Sequence, residues 1–404
     1  MSSFPFLREF AMSGFNAVAP SGVGAKRPGI ALSVVAIFAA VGLAWRVSMP
    51  LVAPAAAQSL EQIPPTEPTD ISAVREKALA ELKKNYPEGT PGIVRRDAHA
   101  KAHGCAKGVF QVDPNIPPEF RVGTFATPGR SFKAWVRYSN GAFYPGPDAG
   151  MDGRGMALKI LDADPEVRAT DSAVLAHDIL MINHPVFFSS TAADYRDFSN
   201  AGALTGDTNG LRSYFAPSLV NPLSWRARQA YIAYRIASRT IRSPLDAQYY
   251  SMAPFQFGEG RAIKYLARPC GHVSVNKSGT TQDPNFLRDA LRASLANGPA
   301  CFDLLVQERV GSMPIEDTSI EWSEETSAYR KVGQLTLTKQ LIDTHPRNEF
   351  CEQIRFDPWS APAANRPLGG MNRLRRAVYD EISAYRTNRN KVTPPNANLA
   401  WDRL

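Results

Sequence analysis

The chain is poor in cysteine and histidine, with four and six among 404 residues. No two cysteines have the CxxC spacing of a zinc ribbon or a dithiol redox site, and there is no CxxCH for covalent haem attachment. The formal net charge of +8 rests on no long basic run, so a nucleic-acid groove is not expected and only a weak bias toward anionic neighbours remains. Glycine and proline follow no fixed period, which excludes collagen, and 44% apolar residues exclude global disorder. A full membrane span is also lacking. Residues 30–45, IALSVVAIFAAVGLAW, fall between the roughly 7–15 residues of a signal-peptide core and the about 20 of a spanning helix.

What is present near the start reads as a targeting segment. Lys26 and Arg27 precede the apolar stretch, Arg46 follows it, and Ala55, Ala56 and Ala57 supply a small-residue cleavage pattern. Residues 1–57 are therefore expected to be a signal peptide or an N-terminal membrane anchor. The protein would then be exported, either periplasmic or held on the inner membrane facing the periplasm, with membrane contact only through this segment. Export permits disulfides, and Cys105, Cys270, Cys301 and Cys351 allow three pairings. Four small buried hydrophobes are an equally good reading.

Residues 58–89 form a Pro-rich linker, IPPTEPTD, and a helix. Ile71, Val74, Ala78 and Leu82 share one face, and Thr69 or Asp70 could cap it. Residues 90–404 read as one large domain. Strand-like runs (KGVFQV, FKAWVRYS, MALKIL, DILMIN) precede a helical middle at about 191–246. Two further strand runs enclose the helix FLRDALRASLA; the strand VGQLTLTKQ and a helix near 371–388 close the domain. Strands and helices come in blocks rather than in alternation, which argues for an antiparallel α+β domain.

Two stretches concentrate reactive side chains. His99, His103 and Cys105 are all transition-metal ligand types, although a strand–turn context does not aim an i, i+4 pair at one ion as a helix does. One of these histidines could instead act as an acid/base beside a cofactor. On the last long helix, Arg375 and Tyr379 are four apart and share a face, with Arg386 two turns further on. A guanidinium beside a phenol favours the phenolate, an anionic oxygen ligand suited to Fe(III).

Together these stretches resemble the haem catalase family, specifically its small catalase-related peroxidases. The resemblance is carried, in order, by Arg96-Asp-Ala-His99-Ala-Lys, VRYSNG at 136–141, MDGRGMALK at 151–159, NHPVFF at 183–188, FQFGEGRAIKYLA, IEWSEETSAYRKVGQLTLTK, EQIRFDPW and Arg375-x-x-x-Tyr379 with Arg386. It implies a catalase-like antiparallel β-barrel core with flanking helices and haem b buried inside. Tyr379 would be the iron ligand and Arg375 its ionising partner; the assignment of tyrosine to catalase haem is general knowledge of the family. His99 would be the distal base and Ser139 its support. Arg96, Arg137 and Arg386 would grip the haem propionates, and Phe187 would wall the pocket. Aligned without gaps, the family's distal asparagine falls on Ile182. Asn183, one place later, fills that role only if the local register differs. HAKAHGCAKG also holds one residue more than the family segment, and the chain stops soon after the proximal helix.

The function implied is a haem-dependent hydroperoxidase that uses hydrogen peroxide or organic hydroperoxides with an unidentified electron donor. A small Ala98 and an uncertain asparagine lean toward peroxidase rather than efficient catalase. A lipid-hydroperoxide-transforming enzyme of the allene oxide synthase kind, or a non-catalytic haem-binding protein, would share the same ligands.

Overall fold

The structure is a computed structural model that describes residues 60–163, 176–270 and 283–404. The expected leader, including Ala57, lies outside them. Nine strands make one antiparallel sheet: β1 (Ala102–Val112), β2 (Ser131–Asn140), β3 (Arg154–Leu161), β4 (Ala176–Ile182), β5 (Tyr249–Tyr250), β6 (Phe255–Gln256), β7 (Ala262–Pro269), β8 (Ala300–Glu308) and β9 (Arg330–Leu337). Their order is β5-β4-β3-β2-β1-β9-β8-β7-β6, and β5 also pairs with β7. That extra pairing closes eight strands into a barrel and leaves β6 on its rim. Closure removes the unpaired edges of an open sheet.

Alternation along each strand decides what the barrel wall offers on its two sides. In β2, Phe132, Ala134, Val136 and Tyr138 point into the bore, where they join Phe110, Leu158, Tyr265 and Phe302 in the main core. Trp135 packs on the outside with Phe350 and Leu161, and Arg137 and Ser139 share its parity. The bore is thus filled by side chains. The open space for a ligand lies outside the wall, so a buried group would sit within the molecule but not within the barrel.

Eight helices flank this wall: α1 (Glu67–Asn85), α2 (Ala192–Asn200), α3 (Thr208–Phe215), α4 (Ala227–Ala237), α5 (Phe286–Asn297), α6 (His345–Gln353), α7 (Gly370–Asn390) and α8 (Ala397–Arg403). Helix α1 lays Val74, Ala78 and Leu82 against Met371, Leu374, Val378 and Ile382 of α7, each series spaced three or four apart as an apolar stripe requires. The helix starts at Glu67, ahead of the expected caps at Thr69 and Asp70. Pro68 sits in the first turn, where its missing N–H removes no helical bond. Asp70 is buried and paired with Arg196, while Glu67 pairs with Arg373 at 2.5 Å. The acids at this terminus are therefore tertiary ion-pair partners as well as favourable charges for the helix dipole.

All four cysteines are in disulfides, Cys105–Cys351 and Cys270–Cys301. The first joins β1 to α6 across a sequence separation of 246, with both residues buried. Beside it the Phe350 ring lies 4.3 Å from Trp135, and the Arg347 guanidinium lies 5.0 Å from the same indole. A cross-link closing so long a loop restricts the unfolded chain strongly. The double substitution Cys105→Ala/Cys351→Ala is expected to lower the unfolding free energy by about 2–5 kcal/mol. Urea titration of both proteins checks this, and coincident midpoints would remove the bridge from the account of stability.

Candidate active site

A cavity lies between the outer face of the barrel and helix α7. It holds about 1400 Å³ of atom-free space, counting its open mouth. Two cross-strand rows form its floor. Arg137 of β2 pairs with Ala157 of β3, which pairs with Leu180 of β4; Ser139 pairs with Gly155, which pairs with Ile182. All six line the cavity. Arg375, Tyr379, Ile382 and Arg386 line it from α7, and Arg96, Asp97, Ala98 and His99 line it from the segment before β1. Seven of the expected residues thus meet: Arg96, His99, Arg137, Ser139, Arg375, Tyr379 and Arg386.

His99 is held in one orientation. Its Nδ1 lies 3.0 Å from Ser139 Oγ, its N–H donates to the Gly141 carbonyl at 3.2 Å, and its carbonyl accepts from Arg137 at 2.8 Å. The backbone at His99 is left-handed, with φ 56°, an uncommon conformation for a residue with a Cβ and one that functional sites often retain. The ring rests on Gly155, where a Cβ would stand 2.6 Å from His99 Cε1 and Nδ1 and 2.9 Å from Ser139 Oγ. Burial lowers the imidazole pKa to about 4, helped by Arg137 and Arg375. His99 is therefore neutral at ordinary pH. With the proton on Nδ1 and donated to Ser139, Nε2 is left as an acceptor.

The second feature is a surplus of buried positive charge. Arg386 meets Glu352 Oε1 at 2.8 Å, Arg96 meets the same oxygen at 3.5 Å, and Arg95 meets Oε2 at 3.6 Å. Backbone carbonyls take further guanidinium N–H groups: Glu352 from Arg96 and Arg386, Ile354 from Arg96, and Val94 from Arg386. Arg137 Nε has no partner in the structure. Burial and mutual repulsion lower the pKa values of Arg96, Arg137 and Arg386, with Arg137 pushed down to about 10. Glu352 and the nearby Asp97 are fewer than the four guanidinium groups of Arg95, Arg96, Arg137 and Arg386. An added anionic ligand with two carboxylates would complete it.

Tyr379 differs from the expectation of a ready-made phenolate. Burial raises its pKa, and the opposing pull of Arg375 is the smaller effect. Arg375 itself donates to Asn372 Oδ1 at 3.3 Å. In the protein alone Tyr379 is a neutral phenol, and ionising it needs a cation at the oxygen.

Two expected residues are not in the cavity. Asn183 is fully buried but spent elsewhere: its Oδ1 accepts from the Arg154 N–H at 2.8 Å and its Nδ2 donates to the Ile236 carbonyl at 3.1 Å. Strand parity turns Ile182, not Asn183, toward the open space, so the register does not slip and the Asn183 amide does not stand there. Phe187 belongs to an aromatic cluster with Phe188 at 4.5 Å and Tyr195 at 6.1 Å; Phe356 is the aromatic that lines the cavity. The alternative metal set also fails. Cys105 is oxidised to a disulfide, and among the described residues no three His, Cys, Asp or Glu side chains converge on one point.

Sequence reasoning missed Glu352, Asp97 and Gly155. Glu352 lies in the EQIRFDPW block but binds Arg96 and Arg386 only once α6 is folded against α7. Gly155 was visible as the second glycine of DGRG, yet only the strand pairing puts it under His99. The extra residue in HAKAHGCAKG also finds its explanation here. Between Ala102↔Ser139 and Gly104↔Tyr138 the register shifts by one, so His103 is the added residue of a β-bulge. The bulge absorbs the insertion without turning the rest of β1 over.

No protein-family model matches the chain. In sequence it is 28% identical over 277 residues to the catalase-related peroxidase of Mycolicibacterium paratuberculosis, covering 66% of this chain and 82% of that protein. Among solved structures it is similar to a fungal catalase, with a TM-score of 0.58 at 18% identity over 79% of this chain and 63% of the other. Catalase A of Saccharomyces cerevisiae follows with a TM-score of 0.57 and 18% identity, over 78% and 65%. The chain spans less than two thirds of the length of these catalases. The eight-stranded barrel with its flanking helices is the catalase fold, and in sequence the chain is similar to a small catalase-related peroxidase.

Proposed function

We propose that the protein is a haem-dependent hydroperoxidase that acts as a peroxidase rather than as an efficient catalase. The observation that carries this reading is one cavity lined by a neutral, oriented imidazole, a buried phenol and a guanidinium cluster that shares the Glu352 carboxylate. The donor set fits haem b: Tyr379 would hold the iron, and Arg96, Arg137 and Arg386 would bind the propionates. When bound, haem supplies an iron centre that takes oxidising equivalents from a peroxide and passes them to a donor.

The chain's own residues supply binding and proton transfer. His99 Nε2 would accept a proton from one peroxide oxygen and return it to the other, departing oxygen, while Ser139 holds Nδ1. Arg375 offsets the charge that develops on the Tyr379 oxygen. Ala98 and Ile182 leave the space beside His99 small-sided and apolar, without the Asn183 amide to bind a second peroxide. That favours reduction by an organic donor over dismutation.

Three measurements test this on haem-reconstituted protein. Tyr379→Phe is expected to abolish turnover and to change the haem absorption spectrum, in an assay that follows oxygen release and donor oxidation together. Unchanged turnover in that variant would refute the ligand assignment, and oxygen release matching donor oxidation would overturn the peroxidase preference. The pH dependence has a defined sign. Since burial lowers the pKa of His99 to about 4, the reaction with peroxide should stay flat from pH 8 to near pH 5, then fall as the imidazole protonates. A fall centred near the ordinary histidine value of about 6.5 would mean that another group is the base. Gly155→Ala should cut the peroxide rate by about 10²–10⁴-fold, the usual worth of a positioned acid/base, because the new methyl displaces His99. Circular dichroism and the haem spectrum should remain those of the parent protein.

A further inference from the structure

The α3–α4 connection carries a protruding apolar tip that the cavity does not use. Leu219, Val220 and Leu223 are 66%, 95% and 97% exposed. Single exposed leucines are ordinary, but three large apolar residues within five positions of one tip are not. The tip is nevertheless pinned. The Arg226 N–H donates to the Phe215 carbonyl at 2.8 Å and its guanidinium to the Tyr214 carbonyl at 3.0 Å. The Trp225 indole donates to the Ser218 carbonyl at 2.6 Å.

The segment that carries the tip is basic. Residues 208–245 hold six arginines and no aspartate or glutamate. Among the described residues the ion pairs of these six are those of Arg226 with Asp194 and Asp197. Arg212, Arg228, Arg235, Arg239 and Arg242 are exposed. Arg228, Tyr231 and Arg235 follow one another at spacings of three and four along the outer side of α4, and Arg235 donates to the Tyr231 hydroxyl at 2.8 Å. The opposite side of α4 places Ile232 and Ile236 against Ile182 and Met252, and these last two line the cavity.

We infer that this face docks on an anionic phospholipid surface, with Leu219, Val220 and Leu223 entering the acyl boundary and the arginines of α3, α4 and the turn beyond it meeting the headgroups. Charge complementarity selects this occupant. A second copy of the chain related by a two-fold axis would set arginine against arginine, and a protruding tip suits a deformable surface better than a rigid groove. The docking would put one side of α4 at the lipid and the other on the cavity wall, a helix diameter of about 10–12 Å away. It does not depend on the haem reading.

The test uses the full chain with Val220→Cys labelled by an environment-sensitive fluorophore under non-reducing conditions, so that the readout is local whatever the N-terminal segment does. Vesicles of phosphatidylglycerol mixed with phosphatidylcholine are expected to give a blue shift and brighter emission, and pure phosphatidylcholine to give neither. Arg228→Glu with Arg235→Glu should weaken the response about tenfold or more, and 1 M salt should suppress it. No shift with either vesicle overturns the inference. A shift without vesicles that grows with protein concentration also overturns it, because a second copy would then cover the tip. Peroxide turnover by the same labelled preparation separates a failed haem assignment, which would leave the shift intact, from a failed surface.

Discussion

The structure depends on concentrating buried guanidinium groups around one carboxylate. Isolated buried cations are costly, and a paired one is stable only when its remaining N–H groups are satisfied. Here backbone carbonyls of Val94, His99, Glu352 and Ile354 take those N–H groups, while Glu352 supplies the carboxylate in direct contact with them. The carboxylate cannot drift, because the neighbouring Cys351 is bonded to Cys105 in the barrel wall. The disulfide thus fixes more than loop closure: it sets the position of the carboxylate that Arg96 and Arg386 both contact. What remains unbalanced is a fixed positive potential facing the cavity, suited to a dianionic ligand.

The same potential acts on the two groups proposed for the chemistry, in opposite senses. It disfavours imidazolium at His99, so the base stays unprotonated. It favours phenolate at Tyr379, but burial outweighs it there. The phenol therefore keeps its proton until a stronger charge arrives. A metal-loaded porphyrin brings both halves of the missing balance, a cation for the phenol oxygen and anions for the guanidinium groups. Binding at one end makes binding at the other more favourable, which is a physical reason for one ligand to carry both.

Much of this was legible before folding was considered. The long helix that carries Arg375 and Tyr379 on one face, the placement of His99 on the same cavity and the block order of strands and helices follow from periodicity, punctuation and family likeness, and the structure has them. What was not legible depends on parity and on distant pairing. Whether Ile182 or Asn183 faces the cavity turns on which residue opposes Gly155, a one-residue question that sequence spacing leaves open. Glu352 is separated from Arg96 by the whole barrel, so no local pattern marks it. Phe187 was drawn toward the pocket by its neighbours in the sequence, whereas its actual neighbours are Phe188 and Tyr195.

Strand parity also bears on the character of the site. Without the Asn183 amide, the space beside His99 is bounded by Ala98 and Ile182, and a second peroxide bound there would have one hydrogen-bonding partner fewer. Dismutation needs that second peroxide held for two-electron oxidation, whereas a donor that gives up single electrons needs only proximity to the cofactor's edge. Removing one polar group thus weakens one outcome more than the other, while the His99–Ser139 pair needed for the first step is untouched. On the proposed function, the balance between catalase and peroxidase would be set by the parity of one strand end, at Ile182 and Asn183, and not by Tyr379 and its neighbours on the long helix.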